Sequence, residues 1–151
     1  MASMAAIIAR CLVAGAAVFA VEAAGAADSV GQVKIATGTV AVERDGKTSA
    51  LAVGDRVFQS DTIVTKDGMV GITFADNSMM SLGPQSRLSL DEFKFDTTTQ
   101  NGTFNSSLQK GTLTVKSGQI VKQTPEAMHV RTPAALLGVR GTEFAVRADA
   151  P

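Results

Sequence analysis

From residue 28 onward, short runs of alternating apolar and polar side chains are cut by Gly, Asp, Asn and Ser. A period of two sends successive side chains to opposite faces of a strand. No amphipathic helical period competes with it, so the chain is restricted to a β architecture. Val33 and Ile35 alternate in one run, and Val40 and Val42 in the next. Thr62-Ile63-Val64-Thr65 forms another. Val70, Ile72 and Phe74 share a face, as do Leu88 and Leu90, with Phe93 and Phe95 continuing the pattern. Asp45-Gly46 between runs is a strong hairpin signal.

The pattern then changes. Residues 96–107 are polar, holding Phe104 as their one apolar side chain, and read as a long loop or a weakly paired hairpin. Strands resume around Leu108, Leu113, Val115, Ile120 and Val121, and Met128-His129-Val130-Arg131 is a short strand. Residues 134–139 could form one helical turn, and residues 142–147 a final strand. Residues 31–42 and 111–122 both fit G-x-apolar-x-apolar-x-x-G-x-apolar. This suggests two similar β-units, each cornered by glycine.

The first 27 residues read differently. Arg10 precedes the uncharged run Cys11-Leu12-Val13-Ala14-Gly15-Ala16-Ala17-Val18-Phe19-Ala20-Val21, and after Glu22 the small residues Ala23-Ala24-Gly25-Ala26-Ala27 follow. A cation, a short apolar core and an A-x-A-like site make a secretory signal pattern. The core is shorter than the ~20 residues that span a bilayer. The expectation is a signal peptide at 1–27, with a retained anchor as the alternative, and one β-domain at 28–151. Cleavage would leave no stable membrane anchor and would remove Cys11, the only thiol.

Composition excludes several functions. The 14 basic and 14 acidic side chains give zero net charge, so no basic surface commits the chain to nucleic acid. One Cys and one His argue against zinc or iron sites, and no cofactor is expected. His129 has no nucleophile elbow to serve, so no catalytic residue is assigned. Asp91-Glu92, adjacent on a strand, should point to opposite faces. Asp76-Asn77-Ser78 lacks the alternating ligands of a calcium loop and reads as a turn. Without Trp or Tyr, a stacking platform for sugars is disfavoured. Charge is uneven: residues 28–96 hold ten acids and seven bases, and residues 97–151 three acids and six bases. A cationic face could gather Lys110, Lys116, Lys122, Arg131, Arg140 and Arg147.

The most distinctive segment ends the chain. Thr132-Pro133 disfavours a preceding helix, and Gly138 and Gly141 bracket Val139-Arg140. Pro133, Gly138, Arg140, Gly141, Thr142 and Glu143 are therefore the candidate residues, either as a structural corner or as a partner contact.

In this order the motifs resemble the FecR-like domain. They are Gly38-Thr39-Val40, Leu51-x-x-Gly54-Asp55, Asp61-Thr62-Ile63-Val64-Thr65 and Val70-x-Ile72-x-Phe74-x-Asp76-x-Ser78. Leu82-x-Pro84-x-Ser86, Leu88-x-Leu90 and Thr132-Pro133 followed by Gly138-Val139-Arg140-Gly141-Thr142-Glu143-Phe144 complete them. The resemblance implies an all-β fold, a twisted solenoid-like stack of short strands (a β-sandwich being the alternative), in the bacterial periplasm or secreted. Its best-known members relay an iron–siderophore signal to a sigma factor. This sequence shows no anti-sigma segment ahead of the apolar run and stops five residues after Val146, so a free-standing module is expected. Its role would be non-enzymatic: protein interaction, scaffolding or envelope signal sensing with a protein partner. The alternative is binding of an envelope ligand such as a cell-wall glycan.

Overall fold

The computed structural model describes residues 29–139 and 143–149. The expected signal segment, its boundary after Ala27, and Arg140, Gly141 and Thr142 lie outside these residues. Alternation becomes strand nearly everywhere: β1 (Gly31–Thr37), β2 (Val40–Arg44), β3 (Lys47–Ala50), β4 (Arg56–Val57), β5 (Thr62–Thr65) and β6 (Met69–Phe74). β7 (Met79–Leu82), β8 (Arg87–Phe95) and the 15-residue β9 (Gly102–Lys116) follow. After the short α1 (Gln119–Gln123) come β10 (Met128–Arg131), β11 (Leu136–Gly138) and β12 (Glu143–Ala148). Asp45 and Gly46 turn β2 into β3 with φ of 51° and 75°, as a two-residue hairpin requires.

The strands pair in the order β3-β2-β5-β8-β9-β7-β6-β1-β4, with β10 and β12 also on β9, and β11 on β10. The first and last strands of that path, β3 and β4, are neighbours in the chain. Residues 51–55 join them, and Leu51 N–H donates to Val40 O at 3.0 Å while Gly54 N–H donates to Val33 O at 2.9 Å. The sheet is therefore curled into a half-barrel.

β9 belongs to two limbs. Its first half pairs with β8 and β10, and its second half with β7 and β12. Phe104, Ser106 and Leu108 face inward at even numbers, whereas Leu113 and Val115 face inward at odd ones. The change of phase needs an extra residue, and Gln109 is unpaired between Leu88↔Leu108 and Arg87↔Lys110. Gly111 follows with φ 94°; a Cβ there would meet the Ser86 Oγ at 2.0 Å and its Cα at 2.5 Å. Only glycine suits this corner.

The two limbs close over one core. Phe74 of β6 packs on Phe93 of β8 (centroids 5.8 Å) and edge-on against Phe104 of β9 (4.7 Å). Phe93 and Phe104 meet edge to face at 4.9 Å. Each such pair adds about 0.5–1.5 kcal/mol to simple burial.

The all-β class holds, but its organisation is not that of stacked solenoid coils. Every ladder is antiparallel except β9 with β10. The limbs face each other as sandwich sheets would, yet they are continuous through β9.

Several local expectations are corrected. Residues 102–107 are strand, because β9 finds partners on both sides. Ile120 and Val121 lie on α1, so the second repeat ends in a helical turn where the first continues into β2. Residues 136–138 pair with β10 instead of forming a helical turn. Lys34 is an extra residue between Val33↔Ile72 and Ile35↔Gly71, so Val33 is fully buried and Ile35 is 60% exposed.

Candidate functional site

Many motif residues that carry the family resemblance serve the frame. Asp61, 1% exposed, accepts two hydrogen bonds from Arg44 (Nε 2.7 Å, Nη2 2.6 Å) and one from Phe58 N–H at 2.9 Å. The Asp61 hydrogen bond raises the Arg44 pKa above its usual value, and the guanidinium also lies 4.5 Å over the Phe58 ring. Asp76 is fully buried in the β6–β7 turn. Its carboxylate accepts from Ser78 N–H (3.0 Å), Ser78 Oγ (2.6 Å) and Ile120 N–H (3.4 Å). Ser78 Oγ in turn accepts from Gly118 N–H at 3.0 Å. The turn thus satisfies N–H groups that the first turn of α1 leaves unpaired. Ser86 receives Thr112 N–H at 3.0 Å and anchors the Gly111 corner.

A different region offers polar groups outward. A groove of about 570 Å³ crosses the outer face of the first limb, over β8, β9, β10 and β11. Register places its side chains in rows. Glu92, Asn105, His129 and Gly138 follow one another across the strands, and Ser89, Ser107, Arg131 and Leu136 form the next row. One wall is acidic, from Asp91 and Glu92, and the other cationic or imidazole, from Arg131 and His129. Leu136, 59% exposed, stands at the rim.

The acidic wall exists because of a bulge. Asp91 is unpaired between Leu90↔Ser106 and Glu92↔Asn105. Leu90 and Phe93 are buried on either side, so both acids stay on the outer surface. This corrects the expectation that they diverge to opposite faces. Asp91 accepts a hydrogen bond from Ser107 Oγ. Glu92 accepts from Asn105 Nδ2 at 3.2 Å and pairs with Lys94 at 3.3 Å. The His129 imidazole makes no hydrogen bond among the described residues. The Ser107 hydroxyl is committed to a carboxylate instead of an imidazole, so no nucleophile–base pair is set up here.

Of the sequence candidates, Pro133 sits exposed in the turn between β10 and β11, where Thr132 and Ala135 bond each other's backbone. Gly138 ends β11 opposite His129; a Cβ there would meet nothing within 4 Å. Glu143 starts β12 in the other limb, opposite Lys116. The structure thus brings Pro133 and Gly138 to the groove hairpin and sets Glu143 apart. Sequence reasoning did not assemble Asn105, Ser107 and Leu136 with the acids. The available signal was the alternation Phe104, Ser106, Leu108 against Asn105, Ser107, hidden by the polar composition around it.

Among the described residues, no three His, Cys, Asp or Glu side chains cluster as metal ligands would, and no helix is long and apolar enough to cross a membrane. Residues 61–151, more than half of the chain, match the family described as FecR protein. The chain belongs to the FecR family. No curated protein and no solved structure matches it.

Proposed function

We propose that this FecR-family chain is a non-enzymatic module of the bacterial envelope, periplasmic or secreted, that binds a protein partner in signal sensing or scaffolding. The groove of the first limb is its contact. The observation carrying this reading is the placement of Asp91 and Glu92 against Arg131 and His129, with Leu136 exposed between them and the sheet edge. Opposed charges fix the register of a partner, and an apolar rim residue adds contact area. β11 pairs only with β10 among the described residues, which leaves its outer backbone groups free to receive an extended segment.

A photocrosslinker placed at Leu136 in living cells tests this, with one at Met79 on the other limb as the control. We expect a discrete adduct from position 136 that disappears on Arg131→Glu, with the protein in the periplasmic fraction or the medium. Adducts that are absent, equal from both positions, or indifferent to Arg131→Glu would overturn the groove assignment. Retention in the cytoplasm would overturn the location.

A further inference from the structure

Five cations of the second half of the sequence lie among the described residues, and they do not form one face. Lys116 stands opposite Glu143 on the second limb, Lys122 lies on α1, and Arg131 belongs to the groove. Lys110 and Arg147, however, meet Lys66 around a concavity of about 710 Å³ at the corner where β9 passes between limbs. We propose that this corner is a binding site for a phosphate-bearing anion of about sugar-phosphate size.

Three features support it. The cations come from three distant segments, so the fold rather than local sequence has gathered them. Three cations there outnumber the two carboxylates of the concavity, Asp67 and Asp149, so the site is net positive. Lys66 and Lys110 form no ion pair among the described residues, and Arg147 spends only its Nε on Asp149, at 3.3 Å. That leaves both terminal guanidinium nitrogens available for a bidentate contact, the geometry in which arginine holds phosphate.

The second acid at the site is also engaged. Asp67 Oδ1 accepts the Thr39 N–H at 2.9 Å, and this backbone bond, with further bonds from Thr39 and its own backbone, holds the carboxyl below its ordinary pKa. The floor is rigid. Thr65 Oγ1 donates to Gly83 O at 2.6 Å and accepts Ser86 N–H at 3.0 Å, and Ser86 Oγ accepts Thr112 N–H at 3.0 Å. A concavity of this volume lies within the ~300–1,000 Å³ typical of small-molecule sites.

Calorimetric titration of the full chain with glucose 1-phosphate, against glucose, tests the site. Vesicles of phosphatidylglycerol, against phosphatidylcholine, test a lipid headgroup as the phosphate source. We expect a phosphorylated probe to bind where its neutral counterpart does not. Lys66→Gln combined with Lys110→Gln should weaken binding about tenfold or more through loss of two charge-assisted contacts. Lys122→Gln should leave it unchanged, and circular dichroism should show every variant folded. Binding of glucose 1-phosphate supports a soluble ligand; binding of the anionic vesicles alone supports a headgroup. The proposal is overturned if neither phosphorylated probe exceeds its control, if the double variant binds like the parent, or if Lys122→Gln loses as much.

Discussion

Two acid-bearing regions of this sheet behave in opposite ways. Asp61 and Asp76 lie almost wholly out of solvent, and each carboxylate accepts three hydrogen bonds from the chain around it. Asp91 and Glu92 stand on the outer face, bonded to Ser107, Asn105 and Lys94 but open to a groove whose far wall is Arg131 and His129. A buried charge is tolerable only when its partners replace water. The inner acids are therefore consumed by folding, while the outer pair retains capacity for a partner. Hence the Asp61 and Asp76 motifs report the frame, and contact chemistry is to be sought where the sheet bulges outward.

The sharpest test of this division is Asp76→Ala. It strands Ser78 N–H, Ser78 Oγ and Ile120 N–H in the interior, and we expect a loss of about 3–5 kcal/mol by urea denaturation. A loss below about 1 kcal/mol would place Asp76 with the outer acids. Gly111→Ala should cost about 2–3 kcal/mol, since the left-handed backbone and the contact with Ser86 both oppose a methyl group. An unchanged midpoint would show that the corner can relax.

A further signature is expected in acid. The Arg87 hydrogen bond lowers the Glu43 pKa, and the Thr39 backbone N–H does the same for Asp67. Groups with depressed folded pKa values stabilise above the unfolded carboxylate value of about 4 and lose that contribution as pH falls through the folded value. The urea midpoint should therefore drop below about pH 4, and Asp67→Asn should flatten the fall. An unaltered slope would remove Asp67 from the account.

Ser106, buried between Phe104 and Leu108 with a hydroxyl that has no partner among the described residues, gives a smaller effect of opposite sign. Ser106→Ala should gain about 1 kcal/mol, and a loss would reveal a hidden partner for the hydroxyl. Smallest of all, Asp91→Asn should stay within about 0.5 kcal/mol of the parent. A large loss would erase the contrast between the inner and outer acids.

Much of the frame was legible. Alternation located β2, β5, β6 and β10, and Asp45-Gly46 marked its hairpin, because strand periodicity and turn conformation are local properties. The site was less legible. Asp91-Glu92 was visible as a pair, but adjacent residues on a regular strand diverge, and only the bulge keeps both outside. The same limit misplaced Ile35, which a bulge at Lys34 turns outward. It also hid β9, whose polar first half becomes strand because β8 and β10 flank it. α1 escaped because its first N–H groups are satisfied by Asp76 and Ser78, some forty residues earlier in the sequence.

By itself, then, the sequence determined that this is an all-β chain with turns at predictable points and the motifs of the FecR family. Those features depend on interactions between near neighbours and on side-chain composition. Only the tertiary structure decided where each strand slips by one residue, which acids are buried, and which cations share the corner at Gly111. A one-residue bulge reverses every side chain beyond it, and its position is set by the partner strand. The two faces of the sheet, and the chemistry each presents, were therefore fixed by pairing across the fold.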